Sequence, residues 1–129
     1  MEAVALTPRR ITVLIADDHR LFADALEAIL GTDGRFEVVG KAHDGEEAVR
    51  LAGKTKPDVV LMDIAMPCVD GVEATRRIRK RRKSTAVLML TGSNARNDVD
   101  RARQAGAAGY VTKDRIASHL VEEIVQLAG

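Results

Sequence analysis

Three segments far apart in the chain each end an apolar run with side chains able to hold a phosphoryl group. Asp17 and Asp18 follow the run Ile11 to Ala16, Asp63 follows Val59 to Met62, and Lys113 follows Gly109 to Thr112. A fourth run, Ala86 to Leu90, ends in Thr91 and Gly92. Three carboxylates gathered in one crevice repel one another unless a cation sits among them or one keeps its proton. A hard, oxygen-seeking ion suits such a set, and Mg²⁺ favours one or two carboxylates plus phosphate oxygens. Asp17 and Asp18 would anchor that ion, directly or through water. Asp63 opens the turn Asp63-Ile64-Ala65-Met66-Pro67, where its carboxylate could face solvent as a nucleophile. Lys113 would neutralise a transferred phosphoryl group as a point charge. Thr91 would donate its hydroxyl to a phosphoryl oxygen, and Gly92 leaves room beside it. Phosphoryl transfer depends mainly on positioning and electrostatic stabilisation of this kind. The product would be an aspartyl phosphate at Asp63.

These residues can meet only if the right elements carry them. Short apolar, β-branched runs alternate five times with amphipathic helical patterns. The runs predict strands near 11–17, 36–42, 59–64, 86–91 and 109–112. Leu21, Phe22, Ala25, Leu26, Ile29 and Leu30 form a helical stripe that stops at Gly31. Asp44 is suited to cap a second helix over 44–54, with Ala48, Val49, Leu51 and Ala52 on its apolar side. A third helix is expected from Gly71 to about Arg82. A fourth, near 95–105, offers only Val99 and alanines to a core, which suits an easily moved element. Ile116, Leu120, Ile124 and Leu127 mark a fifth, its face widened by Val121 and Val125. Strands that are apolar throughout are buried on both faces, so the sheet should be parallel with helices on each side. Five right-handed βα units favour the flavodoxin-like order 2-1-3-4-5, whose switch point beside strand 1 would gather Asp17, Asp18 and Asp63.

Bulk composition narrows the class further. With 129 residues, the chain is sized for one domain. A hydrophobic content of 46% with 30% charged residues fits a globular protein better than a disordered one. No apolar stretch approaches the ~20 residues of a membrane helix, and residues 1–10 lack the apolar core of a signal peptide. A single cysteine, Cys68, allows no internal disulfide and fits a reducing cytoplasm. The net charge of +1 gives no global case for nucleic-acid binding, and the three aromatics (Phe22, Phe36, Tyr110) argue against a base-stacking surface. Residues 1–10 read as a lead-in, frayed over Met1 to Pro8, and 11–129 as the domain.

The motifs resemble the receiver domain of a bacterial two-component response regulator. They are Ala16-Asp17-Asp18-His19, Pro57-Asp58 through Met62-Asp63-Ile64, Met66-Pro67, Asp70-Gly71, Leu90-Thr91-Gly92, and Gly106 through Lys113-Asp114. The likeness runs from about Ile11 to Gly129. Asp-Asp-His near the start, Gly-Tyr-x-x-Lys-Asp late and a final helix ending in glycine resemble the NarL/FixJ (LuxR-type) branch. The resemblance implies a CheY-like (βα)5 fold and a phosphoryl group passed from a sensor histidine kinase to Asp63. It also implies Mg²⁺ ligated by Asp18, Asp63 and the backbone carbonyl of Ala65, with Asp17 acting through water. Thr91 and Tyr110 would form a switch pair, the hydroxyl moving toward the phosphoryl group and the ring turning inward behind it. The protein would not turn over a metabolite, though it would catalyse part of its own phosphorylation and dephosphorylation. The partners implied are the kinase and, on phosphorylation, a second copy. No membrane is implied, and no small substrate beyond phosphodonors. A linker and a helix-turn-helix domain usually follow in this branch, so DNA would be reached only through a segment absent from these residues. A stand-alone receiver working by protein contact is the alternative output.

Departures from the family pattern are specific. Asp114 follows Lys113 where many receivers have proline, so a cis peptide there would be costly. Asp114 could instead cap the fifth helix, since Ile116 holds a position where this branch often has a capping serine. Cys68 stands where glycine is common, with no flanking Lys or His to activate its thiol. Ala65 and Ser93 occupy positions that tune phosphoryl lifetime in relatives. A haloacid-dehalogenase-type phosphohydrolase would need Asp-x-Asp, but His19 and Ala65 stand where the second acid would be. A nucleotide-binding module would need a glycine loop after strand 1, which Ala16-Asp17-Asp18-His19 lacks. An interaction-only pseudo-receiver would not need the full set of acids and the lysine. His19 reads as a helix-start histidine, because His43 and His119 have no zinc-ligand spacing to it. The basic run from Arg76 to Lys83 reads as a solvated helix end complementing the helix dipole, with an acidic or DNA-proximal surface as the alternative.

Overall fold

The computed structural model describes residues 9–92 and 96–128. Strands β1 (Ile11–Ala16), β2 (Phe36–Ala42), β3 (Val59–Asp63), β4 (Ala86–Thr91) and β5 (Gly109–Thr112) alternate with helices along the chain. The helices are α1 (Arg20–Gly31), α2 (Gly45–Thr55), α3 (Gly71–Arg81), α4 (Arg96–Gln104) and α5 (Ile116–Ala128). All strand pairs are parallel, and the order is β2-β1-β3-β4-β5. Both the doubly wound class and the strand order match the expectation. The expected lead-in over Met1 to Pro8 lies outside the described residues, as do Ser93 and the terminal Gly129.

The sheet separates two apolar layers. Leu14, Val60, Met62, Val87 and Met89 pack on one face against Ala48, Ala52, Val72, Ile78 and Ala102 from α2, α3 and α4. Val13, Ile15, Leu61, Leu88 and Leu90 pack on the other against Leu26, Leu30, Ile116, Leu120 and Ile124 from α1 and α5. Every residue of β3 is buried, as its unbroken apolar run requires. Full burial of a side chain such as Leu61 contributes about 1.5–3 kcal/mol.

Local signals act at the element ends. Asp44 caps α2 by accepting the Glu47 amide at 2.8 Å, while the Glu47 carboxylate accepts the amide of His43, one residue before the cap. Asp70 caps α3 by accepting the Glu73 amide at 2.9 Å. Two expectations need correction. Leu21 is 85% exposed and Ala25 is exposed; the buried line on α1 is Ala23, Leu26 and Leu30. One helical residue turns the face by about 100°, so Leu21 and Phe22 cannot both point inward. Asp114 does not cap α5, because Lys113–Arg115 form a short 3-10 turn and Asp114 sits inside it.

Candidate functional site

Register brings the chemistry together. Ala16 lies beside Met62, Asp63 beside Leu90, and Thr91 beside Thr112. Asp17 follows Ala16 and Lys113 follows Thr112, so four adjacent strands deliver Asp17, Asp63, Thr91 and Lys113 at one end of the sheet. This is the crevice outside the carboxyl ends of the strands, where an open α/β sheet binds ligands.

Asp17 is fully buried. Its amide donates to the Ala42 carbonyl at 3.0 Å, and its Oδ1 accepts the His19 amide at 2.8 Å. Its Oδ2 has no hydrogen-bond partner, although the Lys113 ammonium stands 3.1 Å away. Lys113 Nζ is also 3.5 Å from Asp63 Oδ2 and thus bridges the two acids. Asp63 is 3% exposed, and its Oδ1 accepts the Ala65 amide at 3.3 Å. Burial pushes the Asp63 carboxyl up to about 6, with the Asp17 charge adding to the rise. The Lys113 ammonium and the Ala65 amide pull against that rise, and Asp18 adds to it. Asp18 is the exposed acid of the group. Thr91 is buried at the end of β4, and Ala65 is exposed in the turn after β3.

This donor set fits a divalent cation. One ligand atom each from Asp17, Asp18, His19 and Asp63 can be chosen so that all lie within 4.8 Å of one another. Three ionised carboxylates against one ammonium leave two net negative charges. The buried Asp17 Oδ2 has the Lys113 ammonium 3.1 Å away but makes no hydrogen bond, so it can still accept from a bound cation or a water. Oxygen donors dominate, as a hard ion prefers.

Two members of the site escaped the sequence reading. His19 does start α1, as expected, but its Nδ1 also lies 3.3 Å from Asp17 Oδ1 and 3.4 Å from Asp18 Oδ1. Adjacency to Asp17-Asp18 was the available signal, and zinc-ligand spacing was the wrong filter for it. Phe22 places its ring centroid 4.5 Å from Lys113 Nζ. No periodicity could reveal that contact, since the lysine arrives from the far end of the chain.

Tyr110 stands on β5, 37% exposed, beside a cavity of about 430 Å³ also lined by Thr112, Arg115 and His119. Within the basic run, Arg76 and Arg77 pair with Glu73, and Arg79 is tied to the carbonyls of Lys83 and Thr85. Cys68 is exposed with φ +68°, a backbone conformation that suits the glycine common at that position.

The family model "Response regulator receiver domain" matches residues 13–125. The transcriptional regulatory protein DegU of Brevibacillus brevis is 42% identical over 119 residues, 92% of this chain and 50% of that protein. The chain thus spans about half the length of the curated relatives it matches. Among solved structures, the signal receiver domain of NarL from Mycobacterium tuberculosis superposes with a TM-score of 0.89 at 34% identity. It covers 94% of this chain and 98% of that one. CheY in the CheX-CheY-BeF3-Mg complex of Borrelia burgdorferi gives a TM-score of 0.79 at 30% identity, covering 90% and 87%. No helix among the described residues is long and apolar enough to cross a membrane.

Proposed function

The chain belongs to the response regulator receiver domain family, and on that premise we propose that Asp63 is its phospho-acceptor. The observation that carries this reading is the placement of Lys113 Nζ 3.1 Å from Asp17 and 3.5 Å from Asp63 at the mouth of the sheet. A carboxylate oxygen of Asp63 forms the new P–O bond as the P–N bond of a kinase phosphohistidine breaks. The bond electrons leave with the imidazole. Lys113 stays beside the incoming oxygens as a fixed charge, and Thr91 donates its hydroxyl to one of them. Asp18, Asp63 and the Ala65 carbonyl would hold Mg²⁺, with Asp17 acting through water, and the ion would offset the charge of carboxylate and phosphoryl oxygens together. The relative solved with beryllofluoride and magnesium supports that assignment by analogy. The domain thereby catalyses part of its own phosphorylation and dephosphorylation.

Tyr110 and Thr91 act as the switch. The 37% exposure of Tyr110 on β5, the strand beside the one that ends in Thr91, supports this role. A charge change at Asp63 would then bias a two-state face, with coupling of about 1–3 kcal/mol typical of such switches. Output would be transcriptional, through a DNA-binding segment beyond these residues, with homodimerisation on phosphorylation and a cytoplasmic setting. The longer relatives named as transcriptional regulatory proteins support the transcriptional output.

Intact mass after incubation with acetyl phosphate tests the reading. A Mg²⁺-dependent, hydroxylamine-labile gain of one phosphoryl group in wild type, absent from Asp63→Asn, is the expected result. An adduct that persists in Asp63→Asn would move the acceptor elsewhere.

A further inference from the structure

We infer that Phe22 is a positioning residue for Lys113: its ring holds the ammonium over the acidic crevice without occupying any of its N–H donors. This role rests on the phospho-acceptor reading above and extends it to a residue on α1.

Three groups surround the lysine head. Asp17 Oδ2 and Asp63 Oδ2 approach at 3.1 and 3.5 Å, and the Phe22 ring centroid stands at 4.5 Å. That separation is within the ~6 Å at which an aromatic face attracts a cation. The Lys113 side chain is only 23% exposed, so water screens the attraction weakly. The geometry differs from that of a third carboxylate in one respect. A carboxylate would claim an N–H and would have to be displaced when phosphoryl oxygens arrive, whereas the ring quadrupole attracts the charge and leaves the donors free. Phe22 also limits how far the long lysine stem can swing, so less side-chain freedom is lost when Lys113 engages a phosphoryl group. α1 supplies this ring because Phe22 sits beside the buried Ala23 and Leu26, half-buried at the crevice end of the helix.

Phe22 also packs against the core, so the test must separate packing from positioning. Phe22→Leu keeps an apolar side chain and removes the π face; Phe22→Tyr keeps the face. The first readout needs no phosphoryl chemistry. The Lys113 Cε protons of the metal-free protein should be shifted upfield by the ring current in wild type and Phe22→Tyr, but not in Phe22→Leu. The second is the rate of phosphorylation by acetyl phosphate at saturating Mg²⁺, where Phe22→Leu should be about three- to tenfold slower and Phe22→Tyr within twofold of wild type. In a Lys113→Met background, Phe22→Leu should cause no further loss, as a pair acting together requires. An unshifted Lys113 signal in wild type, equal rates for wild type and Phe22→Leu, or equal losses in the Leu and Tyr variants would each overturn the role. If wild type takes up no phosphoryl group, the phospho-acceptor reading fails and takes this role with it. Uptake with no Phe22 dependence removes this role alone.

Discussion

Gly71 and Asp63 are in backbone contact: a Cβ built on Gly71 would overlap the Asp63 carbonyl oxygen and lie 2.9 Å from its carbonyl carbon. The first residue of α3 therefore seats directly on the residue proposed to carry the phosphoryl group. The same loop is held from the other side, since a Cβ on Gly45 at the start of α2 would overlap the Val69 carbonyl. Backbone cannot yield as a flexible side chain can, so both approaches demand glycine.

Gly71→Ala should therefore destabilise the domain by about 2–3 kcal/mol, at the upper end of ordinary overpacking. Gly53→Ala is the matched control. Gly53 lies inside α2 with nothing within 4 Å of an added Cβ, so the change should stabilise by roughly 0.5–1 kcal/mol through helix propensity. Urea midpoints of the two variants should move in opposite directions. Equal shifts would remove the case for a steric seat at Asp63.

Asp63→Asn should stabilise the metal-free protein at pH 8. The folded-state carboxyl is raised to about 6 from an ordinary value of 3.8, chiefly by burial, so the folded state binds its proton more tightly than the unfolded one. Stability must then fall as pH rises through that interval, and the full penalty stands above it. A shift of this size corresponds to about 3 kcal/mol, and coupling to Asp17 lowers the expected gain to roughly 1–3 kcal/mol. Denaturant titrations of both proteins should converge below pH 4. Mg²⁺ should then stabilise wild type more than the variant, reversing their order.

Cys68→Gly should raise the thermal midpoint. Cys68 is exposed at φ +68° and Lys56 holds φ 50° at the end of α2, both in the left-handed region that costs a side chain roughly 1 kcal/mol. Glycine relieves that cost but gives back part of it as unfolded-chain entropy, so about 0.5 kcal/mol per site is expected. Calorimetry of Cys68→Gly, Lys56→Gly and the pair would check both the sign and the additivity.

α4 should exchange its amide hydrogens faster than α2 or α5. Ala102 is its only buried residue, against three in each of the other two. Few apolar contacts mean low local opening free energy. Exchange read by mass spectrometry over Arg96–Gln104 provides the comparison, and protection equal to that of α5 would contradict the thin-core account.

Much of this was legible in the chain because two-sided burial leaves a simple trace. β1, β3 and β4 are apolar almost throughout, and a parallel sheet covered on both faces is the arrangement that asks for that. Strand-end acids and a lysine then followed from connection rules, which place all five βα turns at one end. The α1 face was less legible. Apolar residues at 21, 22, 25, 26, 29 and 30 allow more than one stripe, and packing chose Ala23, Leu26 and Leu30.

By itself the sequence determined the fold class, the strand order and the residues gathered at the carboxyl edge, because these depend on periodicity and chain connection. Tertiary structure alone decided which Asp17 oxygen is left without a hydrogen-bond partner, that His19 joins the acids, that Gly71 seats on Asp63 and that Phe22 lies over Lys113. The Phe22–Lys113 contact joins segments distant in the chain, and the others, though nearer in sequence, are fixed only by how the loops fold back. They follow from side-chain direction and close packing, and one-dimensional spacing carries no information about either.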